Sequence, residues 1–142
     1  EVGTGSGCIA ASLALLFKNL RLVATDISQD ALDLAELNFE RLEVRRRIET
    51  KRGDLLSPVL DVKVPFLLVS NPPYVPDSYA FQRSVHAYEP MLALRGRGER
   101  GDGILLDLVR AAVAHPFCTG LVLECREDQV PAIDALLSKS KR

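Results

Sequence analysis

The sequence is 142 residues long, 47% hydrophobic and 26% charged, with a formal net charge of -1 and an isoelectric point near 6.2. That size suits one domain, taken as residues 1–142, with ample apolar content for a core. The charge balance offers no overall attraction to nucleic acid or to an anionic membrane, and the longest apolar stretch, Cys8 to Phe17, is broken by Ser12 and too short to span a bilayer.

Glu1-Val2-Gly3-Thr4-Gly5-Ser6-Gly7 opens the chain and runs into an Ala- and Leu-rich segment of helical character, Cys8 to Phe17. A glycine loop feeding a helix lets backbone approach a ligand closely and presents the free N–H groups of a helix start. Its G-x-G-x-G spacing is shorter than the G-x-G-x-x-G of dinucleotide sites, so a pyrophosphate fits it poorly. Such loops follow a strand, yet only Glu1 and Val2 precede this one, so the first strand is expected to be truncated. Arg21 to Asp26 reads as the next strand, with a carboxylate at its carboxyl end. An acid there, about twenty residues past the glycines, accepts ribose hydroxyls in nucleotide-binding βαβ units. The competing reading of Asp26 is a helix cap, although Ser28 and Asp30 are better placed for that. Loop and carboxylate together point to an adenosine-containing cofactor.

Ala31 to Leu42 carries apolar residues at helical spacing. Arg45-Arg46-Arg47 reads as a solvated charge run in an exposed connection, since no aromatic residues interleave with it as they do in RNA-binding patches. Ile48 to Arg52 is a short strand at a sheet edge, ending at Gly53-Asp54-Leu55-Leu56. There Asp54 can accept an adenine amino hydrogen while Leu55 covers the ring, a plain turn being the alternative. Val64 to Val69 is apolar without alternation, the pattern of a parallel strand buried on both faces. Ser70-Asn71-Pro72-Pro73-Tyr74 stops it, because the two prolines fix φ and cannot donate ladder hydrogen bonds. Pro72 presses Asn71 toward an extended conformation, leaving its carboxamide at the carboxyl edge of the sheet, where open α/β folds bind ligands. A planar amide or amine could give one proton to the Asn71 oxygen and another to the Pro72 carbonyl, beneath the Tyr74 ring. An Asn-Pro turn without a ligand is the alternative.

A long polar connection, Val75 to Asp102, follows, and connections of that length are commonly functional. Gly103 to Val113 reads as a helix, Gly120 to Cys125 as a buried strand and Gln129 to Leu137 as a last amphipathic helix. Strands and helices alternate, which predicts an α/β fold with a largely parallel sheet and helices on both faces. His86 and His115 have no recognisable catalytic or metal partners. Cys8, Cys118 and Cys125 are odd in number, lack a C-x-x-C spacing and lie among apolar residues, the pattern of buried, reduced thiols in an intracellular compartment. No metal site is read from the sequence.

The glycine loop, Asp26, Gly53-Asp54-Leu55 and Asn71-Pro72-Pro73-Tyr74 occur in the order and spacing of class I S-adenosylmethionine-dependent methyltransferases, which the sequence therefore resembles. Further features are similar to the HemK/PrmC protein-(glutamine-N5) methyltransferases of peptide chain release factors. These are Glu-Val-Gly-Thr-Gly-Ser-Gly, the Ser-Asn-Pro-Pro-Tyr-Val-Pro corner, and Tyr88-Glu89-Pro90 with Ala93-Leu94 before a glycine-rich turn and Asp102-Gly103-Ile104. The resemblance implies a Rossmann-like sheet and S-adenosylmethionine as cofactor. Glu1, Gly3, Thr4, Gly5, Ser6 and Gly7 would line its methionine part, Asp26 its ribose, and Asp54 and Leu55 its adenine, with Asn71 beside the methyl group. Asn71, Pro72, Pro73 and Tyr74 would hold a release-factor glutamine, with Asn71, Pro72 and Tyr74 as the catalytic set. It also implies a cytoplasmic or organellar-matrix enzyme that meets nucleic acid only indirectly. The family's upstream helical domain and two C-terminal strands are expected beyond the ends of this chain. A nucleic-acid amino methyltransferase and a non-catalytic cofactor-binding remnant are the rival readings.

Overall fold

In the computed structural model, residues 1–140 are described, so the last two residues of the expected 1–142 domain lie outside the described set. Four parallel strands, β1 (Leu22–Asp26), β2 (Ile48–Arg52), β3 (Phe66–Ser70) and β4 (Cys118–Leu123), pair as β2 with β1 and β3 with β4. Val2 joins the pairs by single-residue parallel bridges to Thr25 on one side and Ser70 on the other. The order across the sheet is therefore β2, β1, Val2, β3, β4, and β2 lies at an edge as its sequence suggested.

Among the described residues there are six α-helices: α1 (Cys8–Leu16), α2 (Gln29–Arg41), α3 (Arg83–Tyr88), α4 (Met91–Leu94), α5 (Gly103–Ala114) and α6 (Val130–Ser140). α2 starts where Ser28 accepts from the Ala31 N–H at 3.3 Å, with Asp30 in its first turn and Arg41 in its last, each favourable to the helix dipole. Leu32, Ala35 and Phe39 form its buried stripe and meet Ala10, Ala11 and Ala14 of α1 together with Ala24 and Ile48 of the sheet. Alanines on α1 let that helix sit close to the strands. Val23, the strand neighbour of Ala24, packs instead with Leu68 and with Leu108 and Ala112 of α5. Successive side chains of a strand point to opposite faces, so helices cover both sides of the sheet. Leu105 and Val109 of α5 carry the core onward to Ile133 of α6.

Three expectations are corrected. The segment read as buried on both faces begins only at Phe66, and Leu67 is 57% exposed beside Val122 at 53%. α5 packs on the face bearing Leu68, while Leu67 and Val122 stay open on the opposite face. Cys8 is exposed and Cys118 and Cys125 are half-buried, because Cys8 starts α1 beyond the layer formed by its buried alanines. Arg47 is not simply solvated: its guanidinium donates to the Ala14, Phe17 and Lys18 carbonyls and so closes the carboxyl end of α1. Among the described residues no helix is long and apolar enough to cross a membrane.

Candidate functional site

At the carboxyl edge of the sheet the glycine loop is fixed from beneath by Glu1. The Glu1 Oε2 accepts from the Thr4 hydroxyl at 2.6 Å and from the Ala10 N–H at 3.0 Å, tying the loop to the first turn of α1. Burial pushes its carboxyl above the usual carboxylate range, against these hydrogen bonds, which favour the ionised form. Thr4 is itself buried, and its N–H donates to the Thr25 carbonyl at 2.9 Å. Ser6 is exposed, with its carbonyl accepting from Asn38 at 2.9 Å.

Gly7 ends the loop at φ 79°, and a Cβ there would stand 2.5 Å from a ring carbon of fully buried Phe39. Gly3 also has positive φ, yet neither it nor Gly5 has any atom within 4 Å of a Cβ position, so both border open space. Asp26 closes this side: its Oδ2 accepts from the Gly5 N–H at 2.9 Å and its Oδ1 from the Ser28 N–H at 3.0 Å. Each oxygen keeps acceptor capacity for a further donor. Asp54 is exposed, and Leu55 adopts φ 47°. A left-handed branched residue is a strained arrangement of the kind that gathers at ligand sites.

Across the Val2 bridge stands the Asn-Pro-Pro-Tyr corner. Ser70, buried at the end of β3, donates to the Val2 carbonyl at 2.6 Å, locking this corner to the strand that feeds the glycine loop. Asn71 is exposed, and among the described residues its carboxamide has no hydrogen-bond partner, nor does the Pro72 carbonyl. Pro72 is buried, and Pro73 and Tyr74 are half-buried. The Tyr74 hydroxyl donates to Glu124 at 2.8 Å, and this bond, which needs the hydroxyl proton, raises its pKa above the ordinary tyrosine value, with burial and the Glu124 charge adding to it. The structure thus gathers the glycine loop, Asp26 and the Asn71 corner at one sheet edge, with Asp54 at the neighbouring turn. Free acceptors at Asn71 and Pro72, open space at Gly3 and Gly5, and a carboxylate at Asp26 fit a nucleoside-bearing amino acid beside a planar amide.

Sequence reasoning missed Glu124 and Gln129, which hold Tyr74, and Arg95, whose guanidinium donates to the Pro76, Asp77 and Tyr79 carbonyls and lies 5.2 Å from the Phe81 ring centre. Arg95 thereby folds the connection after the corner into an ordered loop containing α3 and α4. His115 is engaged within the fold: its Nδ1 accepts from the Phe117 N–H, and its Nε2 faces the Val59 carbonyl at 3.2 Å. A separate apolar cavity of about 1200 Å3 lies at the amino ends of β1 and β3, lined by Leu13, Phe17, Leu22 and Leu67 among others. Glu1, Asn19, Arg47 and Glu49 are among the polar residues at its border. Among the described residues no cluster of His, Cys, Asp or Glu is placed to hold a metal.

The family model described as "Methyltransferase small domain" matches residues 1–96. A release factor glutamine methyltransferase of Koribacter versatilis is 44% identical over 117 residues, 81% of this chain and 41% of that protein. One of Chlorobaculum tepidum is 48% identical over 99 residues, 66% of this chain and 34% of that protein. The chain therefore spans less than half the length of these curated relatives. Among solved structures, a ribosomal protein L11 methylase from Lactobacillus delbrueckii subsp. bulgaricus superposes with a TM-score of 0.65 at 26% identity, covering 98% of this chain and 57% of that one.

Proposed function

Because this chain belongs to the methyltransferase small domain family, we propose that it transfers a methyl group from S-adenosylmethionine to the side-chain amide nitrogen of a glutamine in a peptide chain release factor. The observation that carries this reading is the exposed, unpartnered Asn71 carboxamide beside the free Pro72 carbonyl, at the same sheet edge as the glycine loop. The names of the relatives favour a release factor as partner over a nucleic-acid base.

S-adenosylmethionine, when bound, supplies a methyl group on a cationic sulfur, an electrophile that needs no metal. Gly3 to Gly7 and Glu1 would border its amino-acid portion, Asp26 its ribose, and Asp54 and Leu55 its adenine. Asn71 Oδ1 and the Pro72 carbonyl accept the two amide hydrogens of the target, and Tyr74 covers its plane. An amide nitrogen is a weak nucleophile because its lone pair is delocalised into the carbonyl. Holding both hydrogens fixes the direction in which that lone pair emerges, so the chain contributes orientation and electrostatic stabilisation rather than a strong base. The methylated nitrogen then loses one of its two hydrogens as a proton to solvent. Calorimetry on the full-length protein tests the cofactor assignment: S-adenosylhomocysteine should bind, Asp26→Ala should weaken that binding, and Asn71→Ala should leave it nearly unchanged. Binding of NAD in its place would overturn the assignment. A cytoplasmic location accords with this reading.

A further inference from the structure

An irregular corner that must orient a substrate needs its own backbone groups held, since strand pairing no longer supplies partners. The carbonyl of Tyr74 is held by Gln129, which is completely buried in the short turn Glu127–Gln129 before α6. Gln129 Nε2 donates to the Tyr74 carbonyl at 3.0 Å and to the Arg100 carbonyl at 2.9 Å, while its Oε1 accepts from the Arg126 N–H at 3.0 Å. One side chain thus engages both of its amide hydrogens and its oxygen, joining three segments distant in sequence. The other end of Tyr74 is held by Glu124, whose Oε1 accepts from the hydroxyl at 2.8 Å. Glu124 is itself placed by its N–H, which donates to the Ser70 carbonyl at 3.0 Å. Gly101 completes the grip: a Cβ there would lie 2.5 Å from the Tyr74 carbonyl oxygen, so the backbone of the 96–103 turn rests directly on the corner.

We propose that Gln129 and Glu124 are positioning residues that set the pitch of the Tyr74 ring over the target amide by gripping that residue at its carbonyl and its hydroxyl. The inference rests on the reading of Tyr74 as the cover of the amide plane and adds the residues that make this cover rigid. Neither residue touches the target. Loss of either lets the ring swing, and a misplacement near 1 Å at a reacting group is enough to slow chemistry about 100-fold.

The test uses the full-length protein with Gln129→Ala, the isosteric Gln129→Glu, Glu124→Ala, Glu124→Gln and a Tyr74→Phe control. Tyrosine ionisation is followed by ultraviolet difference absorbance, with the Tyr74 contribution identified by subtracting the control. Glu124→Ala is expected to bring that ionisation down toward the ordinary range. Gln129→Ala, which touches no atom of the hydroxyl, is expected to do the same. In transfer to a release-factor glutamine peptide, Gln129→Ala and Glu124→Ala should lower kcat by about 10- to 100-fold while KM for S-adenosylmethionine holds. Glu124→Gln keeps an acceptor for the hydroxyl and should restore kcat. Should Gln129→Ala not fold, Gln129→Glu replaces it, since it keeps the Arg126 contact and loses both donors. An unaltered Tyr74 ionisation in the Gln129 variants, or kcat and cofactor affinity falling in parallel, would overturn the proposal. Absence of glutamine methylation by the wild-type protein would instead strike the substrate reading, and the ionisation measurement would still decide the positioning role.

Discussion

Gly7→Ala and Gly3→Ala make the same chemical change at two ends of one loop, and the structure predicts opposite consequences. Both glycines have positive φ, 79° and 69°, so each alanine meets the left-handed penalty of roughly 1–2 kcal/mol. Only at Gly7 does the new methyl also collide, at 2.5 and 2.6 Å from Phe39 ring carbons and 3.1 Å from the Ala35 Cβ. Phe39 is fully buried and cannot yield without displacing α1 or α2. Forcing a methyl into such a core costs about 1–3 kcal/mol more. The variants should therefore differ in stability by about 1–3 kcal/mol, and the reduced freedom of alanine in the unfolded chain cancels in the comparison. Urea denaturation of the full-length variants, with equal m-values as the control, reads this difference. The open side of the loop reverses the order for binding: Gly3→Ala fills space where the proposed cofactor lies and should lose S-adenosylhomocysteine affinity while remaining well folded. Equal stability losses, or unimpaired binding by Gly3→Ala, would refute the reasoning.

Further outcomes follow from single residues. Burial raises the Glu1 carboxyl above 4.5, so its folded form holds the proton more tightly than the unfolded chain. The associated stability is present below 4.5 and lost as pH rises through the raised value, and Glu1→Gln should remove this dependence in denaturation series across acidic pH. Glu43, exposed at φ 58° after α2, should gain up to about 1 kcal/mol as Glu43→Gly by shedding the left-handed penalty, visible as a raised urea midpoint. Arg47→Met removes a charged donor from the Ala14, Phe17 and Lys18 carbonyls at the carboxyl end of α1 and should cost about 1.5–3 kcal/mol in the same assay.

The alternation of parallel strands and helices, and the edge position of β2, were legible because they rest on local patterns. Prolines after Asn71 end β3 wherever it packs, and a carboxylate at the end of β1 necessarily meets the glycine loop once the two strands lie parallel. The remainder depends on contacts distant in sequence. Phe66-Leu67-Leu68-Val69 is uniformly apolar and cannot reveal that Leu67 faces out while Leu68 is covered by α5. A triple arginine looks solvated until Arg47 reaches α1, some thirty residues earlier. Gln129 carried no signal, for a glutamine three residues after Arg126 lacks the Ser or Thr that marks a capping box. Its two carbonyl partners, at Tyr74 and Arg100, meet only when the long connection folds back on the sheet.

Transfer of labelled methyl from S-adenosylmethionine to a release factor by the full-length protein, with the modified residue located by mass spectrometry, addresses the central claim most directly. The account predicts a single methyl on a glutamine side-chain nitrogen, abolished by Asn71→Ala while S-adenosylhomocysteine affinity is retained. Label appearing in nucleic acid and not in the release factor, or undiminished transfer by Asn71→Ala, would contradict it.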